Sequence, residues 1–385
     1  MSKLEELIEQ YCPDGVEYMR LGDVAQVSRG TRVVKSQLTE VGYPVYQNCL
    51  TPMGYFENTN CPKGTTFVIC GGAAGNVGYT DVDCWAADDC EYIECGHAIL
   101  NKYVYYCLMS RQHYLLSKVR KASIPRLSPS IIKDLEIPVP PLPVQEEIVR
   151  ILDTFTELQA ELQAELQAEL QKRKQQYNYY LDNLLNFNRG GQAEVRWMKL
   201  KDIGKVCMCK RILKSQTSSS GDVPFFKIGT FGGNADAYIS QALFNEYKAK
   251  YSYPQKGDVL ISAAGTIGRT IVFDGTPSYF QDSNIVWLKH DESIVLNSYL
   301  RYCYALNPWV VSTGGTIARL YNDSILEATI PVPSLANQQR IVSILDRFDT
   351  LTNDLTQGLP AEIEKRRQQY EYYRDKLLTF KRKEA

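Results

Sequence analysis

Arg32, Lys35 and Gln37 return 179 residues later as Arg211, Lys214 and Gln216. Asn76 is answered by Thr266 inside the matching runs Gly75-Asn76-Val77-Gly78 and Gly265-Thr266-Ile267-Gly268. Ser123 and Arg126 are answered by Thr316 and Arg319, and Lys118, Arg120 and Lys121 add a local basic run. Guanidinium, ammonium, amide and hydroxyl groups are the side chains that reach nucleic-acid phosphates and base edges. Loops that carry them in duplicate are the candidate contact surface. For any one of these positions, a surface charge or a turn residue is the plain alternative.

Chemistry beyond binding finds no support. A DNA-adenine methyltransferase needs a glycine-rich cofactor motif and an Asn/Asp-Pro-Pro-aromatic loop. Asn307-Pro308-Trp309 comes near but lacks the second proline. No G-x-x-x-x-G-K-[S/T] run exists to hold nucleotide phosphates. Gly71 to Gly78 lacks the G-x-G-x-x-G spacing and reads as a strand-ending turn. His97, His113 and His290 sit at unmatched positions, where a surface or core histidine is the simpler reading than a base. Glu362 and Glu364 lie on a charged helix face rather than in a metal-binding carboxylate cluster. The eleven cysteines include no C-x-x-C pair, and Cys84, Cys90, Cys95 and His97 fit no zinc spacing. They read as buried thiols, with no metal.

The elements that position these residues come in two copies. Residues 135–187 align without a gap to 328–380, and 28 of the 53 pairs are identical. Weaker matches extend outward: Val16 to Val24 parallels Val195 to Ile203, Lys63-Gly64 answers Lys256-Gly257, and Ile124-Pro125-Arg126-Leu127 answers Ile317-Ala318-Arg319-Leu320. The order is variable domain, shared segment, variable domain, shared segment. A duplicated unit implies a pseudo-twofold molecule suited to a two-part target. Thr66 to Cys70 and Asp258 to Ser262 read as strands. Asn101 to Val119 and Asn297 to Val311 read as helices, with Tyr103, Tyr106 and Cys107 matching Tyr299, Tyr302 and Cys303 at i, i+3, i+4.

Each shared segment reads as a long helix behind a Pro-rich start. From Val144 to Phe187 no Pro or Gly intervenes, about 65 Å of helix at 1.5 Å per residue. Such a helix needs an antiparallel partner, and the second copy is the natural one. Leu158, Leu162, Leu166 and Leu170 recur every four residues, within a literal Glu-Leu-Gln-Ala repeat. Leu351, Leu355, Leu359 and Ile363 hold the same places 193 residues on without the repeat, so a side-chain constraint explains the stripe better than slippage in a solvated helix. The stripe drifts about 40° per repeat, unlike a heptad zipper. Gly358-Leu359-Pro360 predicts a break in the second helix, with Pro360 opening a new one.

The 385 residues are 44% hydrophobic and 23% charged, an ordinary globular balance, with no apolar run long enough for a membrane span. The chain starts in an amphipathic acidic helix rather than a secretory signal, which places it in the cytoplasm. The net charge of −1 argues against a free-standing DNA binder and for partner chains that share the phosphate contacts.

The Pro-rich starts, the following Gln145 and Gln338, and the runs Ile148-Val149-x-Ile151-Leu152-Asp153-x-Phe155 and Ile341-Val342-x-Ile344-Leu345-Asp346-x-Phe348 form a recognisable set. So do Arg173-Lys174-Gln175-Gln176-Tyr177 and Arg366-Arg367-Gln368-Gln369-Tyr370. Over its whole length the chain resembles the specificity subunits of type I restriction–modification enzymes. The resemblance implies a non-catalytic α+β protein with two pseudo-twofold-related target-recognition domains joined by two long antiparallel helices. It implies a first recognition domain at 1–136, a central spacer helix at 137–187, a linker at 188–194, a second recognition domain at 195–329 and a C-terminal spacer helix at 330–385. Each recognition domain would read half of a split double-stranded DNA target. The helices would set the unread gap and dock two methyltransferase subunits, with restriction/translocase subunits joining the assembly. S-adenosylmethionine would sit on the methyltransferase, and ATP and Mg on the restriction subunit. The residues alone leave two alternatives. One is a stand-alone methyltransferase or nuclease, disfavoured by the missing motifs. The other is a coiled-coil scaffold without DNA binding, disfavoured by the two diverged globular domains.

Overall fold

A computed structural model describes residues 2–187, 195–311, 319–354 and 357–384. The first half contains α1 (Lys3–Tyr11), β1 (Tyr18–Arg20), α2 (Leu21–Val24), β2 (Ala25–Arg29), β3 (Tyr43–Tyr46), β4 (Tyr55–Phe56), β5 (Thr65–Ile69), β6 (Val77–Thr80), β7 (Trp85–Ala86) and β8 (Cys90–Cys95). It continues with α3 (Asn101–Ser110), α4 (Gln112–Ser117), α5 (Pro129–Lys133), β9 (Glu136–Pro138) and α6 (Leu142–Leu185). The second half contains β10 (Arg196–Lys199), β11 (Gly204–Met208), β12 (Val223–Phe226), β13 (Tyr238–Ile239), α7 (Gln241–Lys250), β14 (Val259–Ser262), β15 (Thr270–Val272), β16 (Tyr279–Phe280) and β17 (Ile285–His290). It ends with α8 (Asn297–Ala305), α9 (Asn322–Glu327), β18 (Thr329–Val332), α10 (Leu335–Asn353) and α11 (Leu359–Leu377).

The fold is α+β, and the chain divides into two compact units, 1–167 with 362–385, and 168–361. The divisions fall inside α6 and α11 rather than at the spacer boundaries expected above. The expected linker at 188–194 lies outside the described residues.

Unit 1 holds an antiparallel sheet in the order β2-β8-β5-β6 and a smaller sheet β4-β3-β7, whose β3–β7 pairing is parallel. Unit 2 repeats both as β11-β17-β14-β15 and β13-β12-β16, with β12–β16 parallel. Each unit also pairs its opening strand with the strand before its shared helix, β1 with β9 and β10 with β18. The paired tyrosine stripes on α3 and α8 are core, with Tyr103, Tyr106, Tyr299 and Tyr302 all buried.

The motif residues of the shared segments bolt each helix to the domain before it. Buried Gln145 accepts from Leu100 N (2.9 Å) and donates to the carbonyls of Ala98 (3.0 Å) and Pro140 (2.6 Å). Gln338 accepts from Leu296 N (2.9 Å) and donates to Ile294 O (2.9 Å) and Pro333 O (2.9 Å). Tyr103 donates to Pro138 O (3.1 Å) and Tyr106 to Asp153 (2.6 Å). Tyr299 donates to Pro331 O (3.0 Å) and Tyr302 to Asp346 (2.5 Å). Ile148 and Leu152 enter the unit 1 core, and Ile341, Val342 and Leu345 that of unit 2.

The end of the other copy completes each unit. Leu377, Leu378 and Phe380 pack into the unit 1 core, where the carbonyl of Phe380 accepts from the Tyr18 hydroxyl (3.1 Å) and Arg382 pairs with Glu136 (2.7 Å). Tyr180, Leu181, Leu184 and Leu185 do the same in unit 2. Helix meets helix through aromatic and hydroxyl groups: the hydroxyls of Thr156 and Tyr370 lie 2.8 Å apart in unit 1, and Tyr180 stacks on Phe348 with ring centroids 5.0 Å apart in unit 2.

Several expectations shift. α6 begins at Leu142, two residues before the expected start, because a proline at 143 is tolerated in a first helical turn. The helix expected at 101–119 breaks at Arg111 into α3 and α4. The one expected at 297–311 stops at Ala305, since Pro308 disfavours helix at Asn307, which takes φ +49°. The predicted interruption near Gly358 separates α10 from α11, and Pro360 stands second in α11. The leucine stripe is not a buried seam: Leu158 is 56% exposed, and Leu162, Leu166, Leu170, Leu351, Leu359 and Ile363 are half-buried. A stripe that drifts round its helix presents no constant face for a partner to cover. Leu355 lies outside the described residues.

Candidate nucleic-acid interface

In the first domain, the ladder places the ends of β2 and β5 beside the start of β8, because Arg29 pairs with Glu91 and Ile69 with Cys90. The turn from β7 to β8 closes this rim. The loop before α5 joins it: Arg120 and Arg126 exchange backbone hydrogen bonds (2.8 and 3.2 Å), Gly72 N donates to Pro125 O (3.1 Å), and Leu127 N donates to Cys70 O (3.0 Å). The run Gly71 to Asn76 is the expected turn between antiparallel strands. Gly72 is required there, with φ +82° and the Cβ of Asn48 2.8 Å from where its own Cβ would stand.

Two arginines on this rim are held by the β7–β8 turn. Arg126 Nη1 lies 3.2 Å from Asp89 Oδ1, and Arg29 Nε donates to Asp88 O (2.9 Å). The second domain builds the same rim from the turn between β16 and β17. Arg211 Nε lies 2.9 Å from Asp282 Oδ2, and Arg319 Nη2 donates to Ser283 O (3.0 Å). Each rim therefore has one arginine on a carboxylate and one on a carbonyl, contributed by different loops in the two domains. Below the first rim, burial pushes the Glu91 carboxyl up from its ordinary value, against the pull of Arg29.

The other sequence candidates divide into exposed and structural groups. Arg32, Lys35, Lys118, Arg120, Lys121, Ser123, Lys214 and Thr266 are exposed. Lys118 lies over the Tyr114 ring at 5.2 Å. Gln37 and Gln216 brace their own loops, accepting from Val34 N (2.9 Å) and Leu213 N (2.9 Å), and Gln216 also donates to the Tyr247 hydroxyl on α7 (3.3 Å). Asn76 accepts from Gln112 (3.0 Å). Thr316 lies outside the described residues.

Sequence reasoning missed Arg29, Asp88, Asp89, Asp282 and Ser283. The available signal was an acidic residue shortly before the central strand in both halves. Cys84 pairs across a β-bridge with Cys61, and Cys90 Sγ donates to the carbonyls of Tyr46 (3.3 Å) and Gln47 (3.2 Å). These thiols are buried, and burial pushes Cys70 up to about 12. No described helix is long and apolar enough to cross a membrane.

Two mixed α+β domains, each followed by a helix bolted to it by the same glutamine, aspartate and tyrosines, define a duplicated recognition architecture. The family model for the type I restriction modification DNA specificity domain matches twice, over residues 13–172 and 193–365. A putative type I restriction enzyme specificity subunit of Haemophilus influenzae is 46% identical over 98% of both chains. A type I restriction enzyme specificity subunit of Escherichia coli is 35% identical over 74% of this chain and 72% of its own length. A solved chain from work on complex assembly and conformational transition of the type I R-M system matches with TM-score 0.66 at 19% identity, covering 94% of this chain and 97% of that one. The S subunit of Thermoanaerobacter tengcongensis matches with TM-score 0.51 at 18% identity, covering 96% of each. The chain belongs to the type I restriction–modification specificity-subunit family, whose members are non-catalytic.

Proposed function

We propose that this chain reads a bipartite double-stranded DNA target in the cytoplasm, one half-site per domain, and that the shared helices set the unread gap. The observation that carries this reading is the duplicated rim, where the same turn in both domains presents two held arginines. Two methyltransferase subunits bearing S-adenosylmethionine would dock on the helices. Restriction subunits using ATP and Mg would complete the assembly. The half-exposed leucines between Leu158 and Leu170, with Leu351, Leu359 and Ile363, supply apolar surface on those helices. With a net charge of −1, the chain gains from partners that share the phosphate contacts.

Changing the helix length tests the reading. One Glu-Leu-Gln-Ala unit adds about 6 Å of helix, against about 3.4 Å per base-pair step. Deleting or adding one unit is expected to change the gap by one or two base pairs and leave both half-sites intact. Methylation footprinting with the cognate methyltransferase reads this out. An unchanged gap, or altered half-sites, would refute it.

A further inference from the structure

The two carboxylate-held arginines differ from the other cations on the rims. In each pair the carboxylate is sheltered and the guanidinium projects: Asp89 is 16% exposed against 57% for Arg126, and Asp282 is 19% exposed against 68% for Arg211. Such pairs contribute little to stability. Their effect is to hold a long, flexible side chain in one orientation at the surface.

A carboxylate about 3 Å from the guanidinium makes the arginine a poor phosphate ligand. It cancels the charge that would release counterions, and it repels the phosphate. A neutral base edge suffers neither penalty. Guanine offers two adjacent acceptors, O6 and N7, in the major groove, matched to the arginine fork. Arg211 spends its single Nε hydrogen on Asp282 and keeps its Nη1/Nη2 end free. Arg126 spends one Nη1 hydrogen on Asp89 and keeps the Nε/Nη2 edge. The carbonyl-held Arg29 and Arg319 make no direct ion pair among the described residues, although Glu91 lies across the ladder from Arg29, and they are better suited to phosphate.

We infer that each half-site contains a guanine, read by Arg126 in the first domain and by Arg211 in the second, with Asp89 and Asp282 as positioning residues. This inference rests on the DNA-reading proposal above. The test uses the full chain assembled with its methyltransferase partner on a randomised duplex library, with sequencing of the methylated fraction at several salt concentrations.

The wild type is expected to select a guanine in both half-sites. Arg126→Ala should abolish a tenfold to hundredfold discrimination at one position of one half-site, Arg211→Ala at one position of the other, with the salt dependence of binding unchanged. Asp89→Asn and Asp282→Asn should weaken the same discriminations and steepen the salt dependence by about one phosphate, because the released guanidinium becomes free for the backbone. Removing a negative charge beside the DNA steepens that slope by itself, so the readout that decides is the loss of guanine selection at the position lost in the matching arginine variant, which a merely structural aspartate would leave in place. The inference is overturned if the arginine variants lose affinity equally for all sequences with a shallower salt slope, if the selected sequence is unchanged, or if the affected position is not guanine. A wild-type complex that selects no sequence at all would instead overturn the DNA-reading proposal.

Discussion

Replacing Gln145 with alanine removes a side chain that satisfies three backbone groups at the junction of the first domain and α6. Leu100 N loses its acceptor, and the carbonyls of Ala98 and Pro140 lose their donor. Gln145 is fully buried, so water cannot simply replace it. An unsatisfied buried polar group costs about 1–3 kcal/mol, carbonyls falling at the lower end. The Pro140 carbonyl is buried and the other two groups are part-buried; with a small cavity, the three lost hydrogen bonds give a loss of about 3–5 kcal/mol. For a unit of this size that lowers the thermal midpoint by roughly 6–20 °C. Hydrogen exchange gives a local reading, since the Leu100 amide should exchange at least about a hundredfold faster. Gln338→Ala should act equally in unit 2, with Leu296 as its reporter. A loss below about 1 kcal/mol, or a large effect in only one of the two variants, would sink the claim that the duplicated glutamine is a fold lock.

Two further perturbations test neighbouring parts of the structure. The Glu147 carboxyl is held down to about 2 from its ordinary 4.5 by Arg150 foremost and by Lys3, against the opposing effect of burial. Because its folded value is depressed, it contributes stability above about pH 4.5 that fades as pH falls toward 2; Glu147→Gln should flatten the thermal midpoint across that window, and an identical acid profile would show that the pairing carries no linkage. Gly358→Ala should destabilise by about 1–3 kcal/mol in urea titrations, because the new Cβ would stand 2.5 Å from Thr350 O and 2.8 Å from Leu351 O. A gain in stability, as expected for Gly→Ala in an open helix, would show that the segment can relax.

The duplication, the long first helix and the break before Pro360 were legible because they rest on strong local signals. Even the drift between copies had structural content. The offset between halves grows from 179 at Arg32/Arg211 to 193 at Lys63/Lys256, and the second half spends the difference on α7, which has no described counterpart between β4 and β5. The parallel pairings β3–β7 and β12–β16 were not legible, since β7 and β16 are two residues long and too short for any periodicity. The rim was half legible. Arg126, Arg211 and Arg319 stood out as matched cations, but their partners Asp89, Asp282 and Ser283 are joined to them only by tertiary folding. Gln37 and Gln216 matched for a different reason: each closes a short 3-10 turn with its own side chain.

The shared segments stayed alike while the recognition domains diverged because each segment answers to two domains. Its first half carries the glutamine, the aspartate and the Ile/Leu pair that dock on the domain before it, and its far end enters the core of the other unit. A substitution must therefore satisfy one environment while copying the chemistry of its twin. One exception shows how strict this is. Leu181 and its counterpart Arg374 are both 6% exposed. In unit 1 the cation belongs to the helix: Arg374 lies against Tyr370 and acts on the Tyr105 hydroxyl, which is nonetheless pushed up by burial. In unit 2 it belongs to the recognition domain: Arg301, at the place of Tyr105, pairs with Asp349 and acts on Tyr177, the twin of Tyr370. Each junction thus keeps one arginine beside one tyrosine, supplied from opposite sides. The feature the two junctions share is an arginine beside a tyrosine, each arginine also paired with a carboxylate, and leucine stands at 181 where Arg301 supplies that arginine from the other side.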